Sequence, residues 1–239
     1  IRDRNTIRRD VMELLSRGNI RKVYGGVSST LINRPVGFSV RAQKNSRAKQ
    51  IIGRLASQLV SDGASIFLDS GSTTPYILQH IGEKNGVTVI THSLTALYAA
   101  SSLSNLNIIA LGGIYAPATS SFTGISTLDA LSRLSIQTIF ISATGVSIEN
   151  GLTNSTYLEA EIKRSVVQRG NRVVLMADQS KFGHSAVISF CPFEQLYAIV
   201  TDCLPSEPYL EAIDRYGIRL ICPCLLYTSP SPRDMRRSR

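Results

Sequence analysis

The chain has 239 residues, 43% of them hydrophobic, and a formal net charge of +9. This length suffices for one main domain with a sizeable core and a small extra module. No apolar run approaches the ~20 residues that span a bilayer, and no apolar segment follows the basic start. We therefore expect a soluble cytoplasmic protein without a membrane partner. The four cysteines lack the spacing of a metal site, which predicts free thiols and no metal.

The charge is unevenly distributed along the chain. The first 50 residues carry a net charge of +9, residues 51–224 carry −3, and the last 15 carry +3. A basic segment attached to a slightly acidic body indicates a part of the chain that binds a polyanion. Nucleic acid is the first candidate partner.

The first elements of the chain are a predicted helix and a predicted hairpin. A helix is predicted to begin near Arg4, with Asp3 as its cap, because apolar residues recur at helical spacing from Ile7 to Leu15. Arginine and asparagine near its start lie away from the apolar stripe, as a major-groove reader requires, and both match base edges. A basic strand and a Gly-Gly turn follow over residues 19–27. This pattern is typical of the second half of a winged helix-turn-helix, or of a generic basic helix and hairpin with solvated charges.

The body of the chain alternates short apolar strands with amphipathic helices. Strands are predicted at 66–68, 87–91, 107–111, 138–143, 172–177, 198–201 and 218–221, with an irregular or antiparallel strand at 186–190. Helices are predicted at 47–60, 75–81, 94–101, 126–134, 158–168 and 208–216. This alternation predicts an α/β domain with a largely parallel sheet and helices on both faces.

The predicted organisation has four parts. Residues 1–27 form the partial winged helix-turn-helix, residues 28–46 a linker, and residues 47–224 the α/β domain. Residues 225–239 have no apolar periodicity and no place in the sheet. We expect this tail to be disordered or foreign to the domain.

One turn at the end of the first strand of the α/β domain is rich in hydroxyl groups. Its residues are Asp69, Ser70, Gly71, Ser72, Thr73 and Thr74. Unpaired backbone N–H groups at a helix start and nearby hydroxyls suit a phosphate, and glycine lets the backbone approach a ligand. The alternative is an ordinary helix cap, in which the hydroxyls satisfy their own helix.

Polar residues also follow the other predicted strands. They include Thr91, His92 and Ser93, then Gly112 and Gly113, then residues 143–145, and finally Asp178 to Gly183 with Lys181. The C-terminal ends of parallel strands meet at one edge, where ligands of open α/β sheets bind. Lys181 would supply a cation, and Asp69 or Asp178 could accept bonds from sugar hydroxyls. The alternatives are turn and capping roles for these residues and an exposed loop tip for Lys181.

Glu159 and Lys163 are spaced for an i,i+4 pair on a helix. One interpretation is a surface ion pair of little energetic value. In the other, Glu159 faces the crevice and accepts a hydroxyl while Lys163 holds its orientation.

These motifs resemble a known family. Residues 6–10 with Leu14 and residues 18–27 are similar to the recognition helix and wing of DeoR-type bacterial transcriptional regulators. The family's sensor domain has motifs that match residues 69–74, 91–94, 111–113, 151–153 with Glu159, and 177–183. His92 stands where the family commonly has asparagine. Because the chain begins at Ile1, the family's first helices are missing, and we expect weak DNA binding by this fragment.

The resemblance implies a fold like ribose-5-phosphate isomerase and CoA transferases. It implies operator contacts from Arg4, Asn5, Thr6, Arg8, Arg9, Arg21, Lys22 and Tyr24. It also implies effector contacts from Asp69, Ser70, Gly71, Ser72, Thr73, Thr74, Thr91, Ser93, Gly112, Gly113, Glu159, Asp178 and Lys181. The phosphate would lie against residues 70–74 and Lys181, with the three carboxylates near the sugar.

The function expected from the resemblance is transcriptional repression of a carbohydrate catabolic operon, without cofactor or catalysis. Residues 73–75, 92–95, 142–146 and 201–203 most resemble the subgroup that responds to deoxyribose 5-phosphate. Symmetric operators require paired DNA-binding heads, so we expect a homo-oligomer. The alternative function is an isomerase or acyl transferase on the same fold, with Asp69, Glu159 or His92 as the base.

Overall fold

The computed structural model describes residues 4–16, 20–23, 26–29 and 37–223. The chain divides into two compact units, with the boundary between Val36 and Gly37. Within the described residues, no helix is both long and apolar enough to cross a bilayer. Tyr24 and the predicted tail 225–239 lie outside the described residues.

The first unit contains one helix and one hairpin. Helix α1 spans Arg4–Ser16. Strands β1, Ile20–Val23, and β2, Gly26–Ser29, pair antiparallel with Val23 opposite Gly26. The helix and the hairpin lie where their sequence patterns predict them.

The second unit contains the remaining elements. Its strands are β3 Ser65–Leu68, β4 Thr88–Thr91, β5 Asn107–Ala110, β6 Ile114–Ala116, β7 Ser121–Thr123, β8 Thr138–Ile141, β9 Gly145–Ser147, β10 Gly151–Asn154, β11 Arg172–Met176, β12 Ile188–Cys191, β13 Ala198–Val200 and β14 Arg219–Ile221. Its α-helices are α2 Phe38–Gln43, α3 Ser46–Ser57, α4 Leu94–Ala100, α5 Ile125–Ser132, α6 Tyr157–Val167 and α7 Glu207–Tyr216. Short 3-10 helices span Thr74–His80, Gln179–Lys181 and Phe193–Gln195.

Seven strands form one parallel sheet in the order β14-β13-β11-β8-β3-β4-β5. All seven were predicted from their apolar runs, and the parallel sheet is confirmed. Each strand appears in the sequence as a continuous apolar run because its successive side chains are buried on opposite faces of the sheet. In β3, Ile66 and Leu68 join the core beneath α3, and Phe67 joins the core beneath α5, α6 and α7. The helices therefore cover both faces of the sheet, as predicted.

The structure differs from the predictions in four segments. Residues 38–43 form helix α2 inside the predicted linker. This helix was not predicted, because six residues are too few to show helical periodicity. Residues 74–80 form a 3-10 helix, not an α-helix. The antiparallel pairs β6/β7 and β9/β10 were not predicted, since strands of three or four residues rich in Gly, Ser and Thr lack a clear alternation. The strand predicted at 186–190 is β12, which pairs antiparallel with β10.

Candidate functional site

The turn after β3 takes its shape from the side chain of Asp69. This carboxylate is fully buried, and its Oδ1 accepts bonds from the Gly71 N–H at 2.7 Å and the Thr74 hydroxyl at 3.0 Å. Gly71 has no room for a side chain, since a Cβ would lie 1.8 Å from the Ser142 Oγ. The turn is therefore fixed by a buried charge on one side and a close backbone approach on the other.

Asp69 is neutralised by Lys163 of α6. The Lys163 Nζ donates to Asp69 Oδ2 at 2.5 Å and to the Ser142 carbonyl at 2.6 Å, and the Ser142 N–H donates to the same carboxylate oxygen at 2.8 Å. Burial raises the pKa of Asp69, but the Lys163 charge and these hydrogen bonds outweigh it and hold the pKa below its usual range. The ion pair connects β3, β8 and α6.

The surface pair between Glu159 and Lys163 that the sequence allowed is not formed. Both side chains are buried, and Lys163 donates to Asp69 instead. Glu159 accepts bonds from the hydroxyls of Ser70 at 2.7 Å and Thr156 at 2.8 Å, and from the Asn154 amide at 3.1 Å. Burial raises its pKa, whereas the Lys163 charge and these three donors lower it, with a net decrease. Glu159 is therefore held as a carboxylate in the wall of a cleft.

This cleft opens at the C-terminal ends of β3, β8 and β11. Five of the predicted effector residues line it, namely Gly71, Ser72, Thr73, Glu159 and Lys181. In the described part of the chain, the backbone N–H groups of Ser72, Thr73 and Thr74 have no hydrogen-bond acceptor. Two of these donors belong to residues of the cleft lining, Ser72 and Thr73, and the third follows them on the buried Thr74.

Cationic side chains lie in the cleft wall and close behind it. Lys181 and Arg41 line it, and Lys49 is buried nearby, where its Nζ donates to the Arg41 carbonyl. Burial lowers the pKa of Lys49 to about 8, with Asp178 opposing the shift and Lys181, Arg41 and Lys44 adding to it. Burial likewise lowers the pKa of Lys181. Lys181 is half-buried, so it does not lie on an exposed loop tip.

Arg41 and Lys49 were not predicted as site residues. Arg41 lies on α2, inside the predicted linker, and Lys49 lies on α3. The segment between them is held to the cleft by Asn45, whose amide donates to Asp178 Oδ1 at 3.0 Å. For Arg41 the only signal in the sequence was a basic stretch without periodicity, which also fits a solvated linker, and Lys49 lies in the predicted helix 47–60, where nothing indicated a site residue.

Other predicted effector residues lie outside the cleft lining. The Ser70 hydroxyl donates to Glu159, and the Thr74 hydroxyl donates to the Asp69 carbonyl within the turn. The Thr91 hydroxyl donates to the Leu68 carbonyl, and Ser93 caps α4. The strand ends therefore supply structural hydrogen bonds in addition to cleft residues.

Gly112, Gly113 and Asp178 also have structural contacts. The Gly112 carbonyl accepts from Thr127, and Gly113 has φ +147 with no room for a Cβ. Asp178 accepts from the Ser180 N–H and from Asn45. Their predicted contacts with an effector stay predictions, as do those of the whole effector set.

The ring of His92 is fully buried and stacks on Phe67, with ring centroids 5.6 Å apart. Neither ring nitrogen has a hydrogen-bond partner among the described residues. Burial lowers the pKa of His92 to about 4, against the opposing charges of Asp69 and Glu159. The ring is therefore neutral at pH 7 and does not line the cleft.

The predicted DNA-contacting residues belong to the first unit. Thr6, Arg8 and Arg9 are exposed on α1, and Lys22 is exposed on β1. Arg4 and Asn5 lie in α1 and Arg21 in β1, but their side chains lie outside the described residues, as does all of Tyr24. The structure thus presents basic side chains on both the helix and the hairpin.

Replacing one member of the buried ion pair should destabilise the second unit strongly. Lys163→Met leaves the Asp69 carboxylate buried without its counter-charge, which costs about 3–5 kcal/mol. Urea unfolding followed by circular dichroism measures this loss. Arg133→Met is the control, because its pair with Asp129 is exposed and worth less than about 1 kcal/mol. Equal losses from the two substitutions would contradict the central role of the Asp69–Lys163 pair.

The buried His92 should make stability depend on pH. Its pKa is about 4 in the folded chain and about 6.5 when unfolded, so the unfolded chain takes up the proton first as the pH falls. The free energy of unfolding should therefore decrease by about 2 kcal/mol between pH 7 and pH 5. His92→Phe keeps the stacking on Phe67 and should remove that decrease, whereas the exposed His184→Gln should retain it. A decrease that persists in His92→Phe would exclude His92 as its source.

Residues 44–203 match the DeoR C-terminal sensor domain. Over 215 residues the chain is 39% identical to the HTH-type transcriptional regulator IolR of Bacillus subtilis, with 90% of this chain and 86% of that protein covered. It is 28% identical to the HTH-type transcriptional repressor GlcR of Bacillus subtilis, covering 91% and 84%. It is 24% identical to the glycerol-3-phosphate regulon repressor of Escherichia coli, covering 90% and 85%.

Two kinds of solved structure are also similar. Ribose 5-phosphate isomerase A of Methanocaldococcus jannaschii matches at TM-score 0.44 and 21% identity, over 58% of this chain and 55% of that chain. The delta subunit of eIF2B from Chaetomium thermophilum matches at TM-score 0.44 and 14% identity, over 68% and 58%. The family assignment depends on the sensor-domain match and on the 39% identity to a curated regulator. The chain belongs to the DeoR family of HTH-type transcriptional regulators.

Proposed function

We propose that the chain is a repressor of a carbohydrate catabolic operon that senses a phosphorylated sugar in the cleft of its second unit. The observation that carries this proposal is that Ser72 and Thr73, whose backbone N–H groups have no acceptor among the described residues, line the same cleft as the cations Arg41 and Lys181. Backbone N–H groups and fixed cations together are the usual protein ligands of phosphate. One end of the cleft therefore suits an anion.

The electrostatics of the cation cluster favour a multiply charged anion. Lys181, Arg41 and Lys44 each lower the pKa of Lys49, and Asp178 opposes them. A phosphate monoester brings about 1.5 to 2 negative charges at pH 7. Its binding would relieve the mutual repulsion of these cations and raise the pKa of Lys49.

The far side of the cleft suits sugar hydroxyls. Glu159 retains acceptor capacity on its carboxylate, and Asn154 and Thr144 lie beside it in the cleft wall, joined by a 2.9 Å hydrogen bond. A charged carboxylate and an amide recognise hydroxyl groups with directional hydrogen bonds. The motifs of residues 73–75 and 92–95 favour deoxyribose 5-phosphate as the specific effector.

The same carboxylates are poor candidates for a general base. Lys163 and hydrogen-bond donors lower the pKa of both Asp69 and Glu159, whereas an efficient base has a pKa near the working pH. His92 does not line the cleft. These features favour a sensor over an isomerase or acyl transferase.

Control of transcription would follow from linkage between the cleft and the first unit. An effector that binds one arrangement of the chain better than another shifts the population toward it. Arg41 is carried by α2, the first helix after the boundary at Val36 and Gly37. A contact between Arg41 and the phosphate would connect the effector to the first helix after the segment that joins the two units.

Calorimetric titration with a panel of sugar phosphates tests the effector class. The panel contains deoxyribose 5-phosphate, ribose 5-phosphate, glucose 6-phosphate and glycerol 3-phosphate, with free deoxyribose and inorganic phosphate as controls. We expect at least one phosphorylated member to bind more tightly than either control, because the proposed site contacts both the phosphate and the sugar hydroxyls and each control lacks one of them. If none binds, the sensing mechanism is wrong, and preference for a member other than deoxyribose 5-phosphate would refute only the specific effector.

Substitutions in the two units should separate effector binding from operator binding. Lys181→Met should weaken the binding of the effector about tenfold or more, since one charged hydrogen bond to phosphate is worth about 1.5–3 kcal/mol. It should leave operator affinity without effector unchanged. Arg8→Ala with Arg9→Ala should do the reverse, because helix α1 carries the base and phosphate contacts. Titration calorimetry and DNA gel shifts measure the two affinities.

Arg54→Met is the control for the loss of a positive charge, because Arg54 is exposed on α3 outside the cleft lining. If Lys181→Met binds the effector as tightly as Arg54→Met, the cleft assignment is wrong.

A further inference from the structure

Residues 85–128 contain no Asp, Glu, Lys or Arg, although 18% of the whole chain is charged. This run of 44 residues includes β4, α4, β5, the β6/β7 hairpin and the start of α5. Its one histidine, His92, is buried and neutral at pH 7. All the surface that these elements expose is therefore without formal charge.

The same run exposes large apolar side chains. Tyr98 on α4 and Ile125 on α5 are each 84% exposed, and Ile114 on β6 is 75% exposed. The elements that carry them are joined by hydrogen bonds, from the Leu94 N–H to the hairpin at Ser120 and from Thr127 to Gly112. Depletion of charge together with exposed aromatic and aliphatic groups is typical of the core of a protein interface. We call the exposed part of residues 85–128 the uncharged surface.

Strand β5 forms one edge of the seven-stranded sheet within this surface. All four of its residues are exposed. The N–H of Asn107 donates to the carbonyl of Val87, just before β4, and the N–H of Leu111 donates to the carbonyl of Thr91, the last residue of β4. The alternate residues Ile108 and Ala110 therefore direct their N–H and C=O groups outward, away from β4. Exposed edges are ordinarily protected by Lys, Pro or a bulge, and residues 107–111 contain no Lys or Pro. An edge of this kind is suited to pairing with another strand.

We propose that β5 pairs with β5 of a second copy of this chain across a two-fold axis at Ile109, with the uncharged surface as the interface. Strands related by such an axis are necessarily antiparallel. Ile108 of one copy then exchanges two hydrogen bonds with Ala110 of the other, and Ile109 faces Ile109. The pairing satisfies the four outward-facing backbone donors and acceptors of each copy and joins two seven-stranded sheets into one.

The chemistry of the surface favours a second copy over a different partner. A face without charges is complementary to itself, whereas charged groups of another partner would be desolvated against it without a counter-charge. The two-fold axis also supplies the pairing of heads that a palindromic operator requires. The proposal needs no effector and stands independently of the proposed sensing function.

The oligomeric state of the full chain, measured by sedimentation velocity without effector or DNA, tests the interface. We expect the wild type to have at least twice the mass of one chain and Ile109→Glu to halve that mass, because two carboxylates would face each other at the axis. Val187→Glu is the control, since Val187 is 88% exposed and lies outside residues 85–128. A monomeric wild type, whether its surface is covered by its own first unit or by another protein, overturns the proposal.

A cross-linking variant covers the case in which Ile109→Glu fails to fold. Facing residues of a non-hydrogen-bonded antiparallel pair have Cα atoms about 4.5 Å apart, within the roughly 4.4–6.8 Å that a disulfide spans. Ile109→Cys should therefore form a covalent dimer under mild oxidation, and Val187→Cys and the wild type, with its native cysteines, should not. A folded Ile109→Cys oligomer that does not cross-link, or an Ile109→Glu variant of unchanged mass, contradicts this pairing.

Discussion

The second unit depends on one buried interaction, the pair between Asp69 and Lys163. A carboxylate with no solvent exposure is tolerated only when its charge is matched and its oxygens are hydrogen-bonded. Lys163, two backbone N–H groups and a threonine hydroxyl meet that requirement together. The same contacts fix the turn after β3, hold α6 against the strand ends, and leave the N–H groups of residues 72–74 without an acceptor among the described residues. Core stability and site geometry therefore have a common origin.

The sheet and its helices could be predicted because the physical signal is strong and local. Each central strand buries both faces, so it appears as a short apolar run, and each covering helix shows its buried side at helical spacing. The short elements gave no such signal. Helix α2 has six residues, and the β6/β7 and β9/β10 hairpins have strands of three or four residues, in which turn-forming glycine, serine and threonine obscure any alternation.

The cleft residues that follow strand ends or a helix start could be predicted, and those that precede the sheet could not. The turn of residues 69–74, Glu159 and Lys181 follow strand ends or a helix start, so parallel topology alone brings them to one edge. Arg41 and Lys49 precede the first strand of the sheet, and nothing local in the sequence shows that they return to the cleft. The predicted pairing of Lys163 with Glu159 was wrong for the same reason, since Glu159 is one helical turn away in the sequence and the actual partner, Asp69, is 94 residues away.

The donors of Ser72, Thr73 and Thr74 belong to the backbone, whereas Glu159, Asn154 and Thr144 act through side chains. Substitution cannot delete a backbone N–H unless proline is introduced, and Gly71 admits no larger residue beside Ser142. Under the proposed function, the anchoring of the anion would persist through sequence divergence while the sugar side remained free to vary. A family built on such a cleft could acquire new effectors by changing a few wall residues, without rebuilding the part that holds the phosphate.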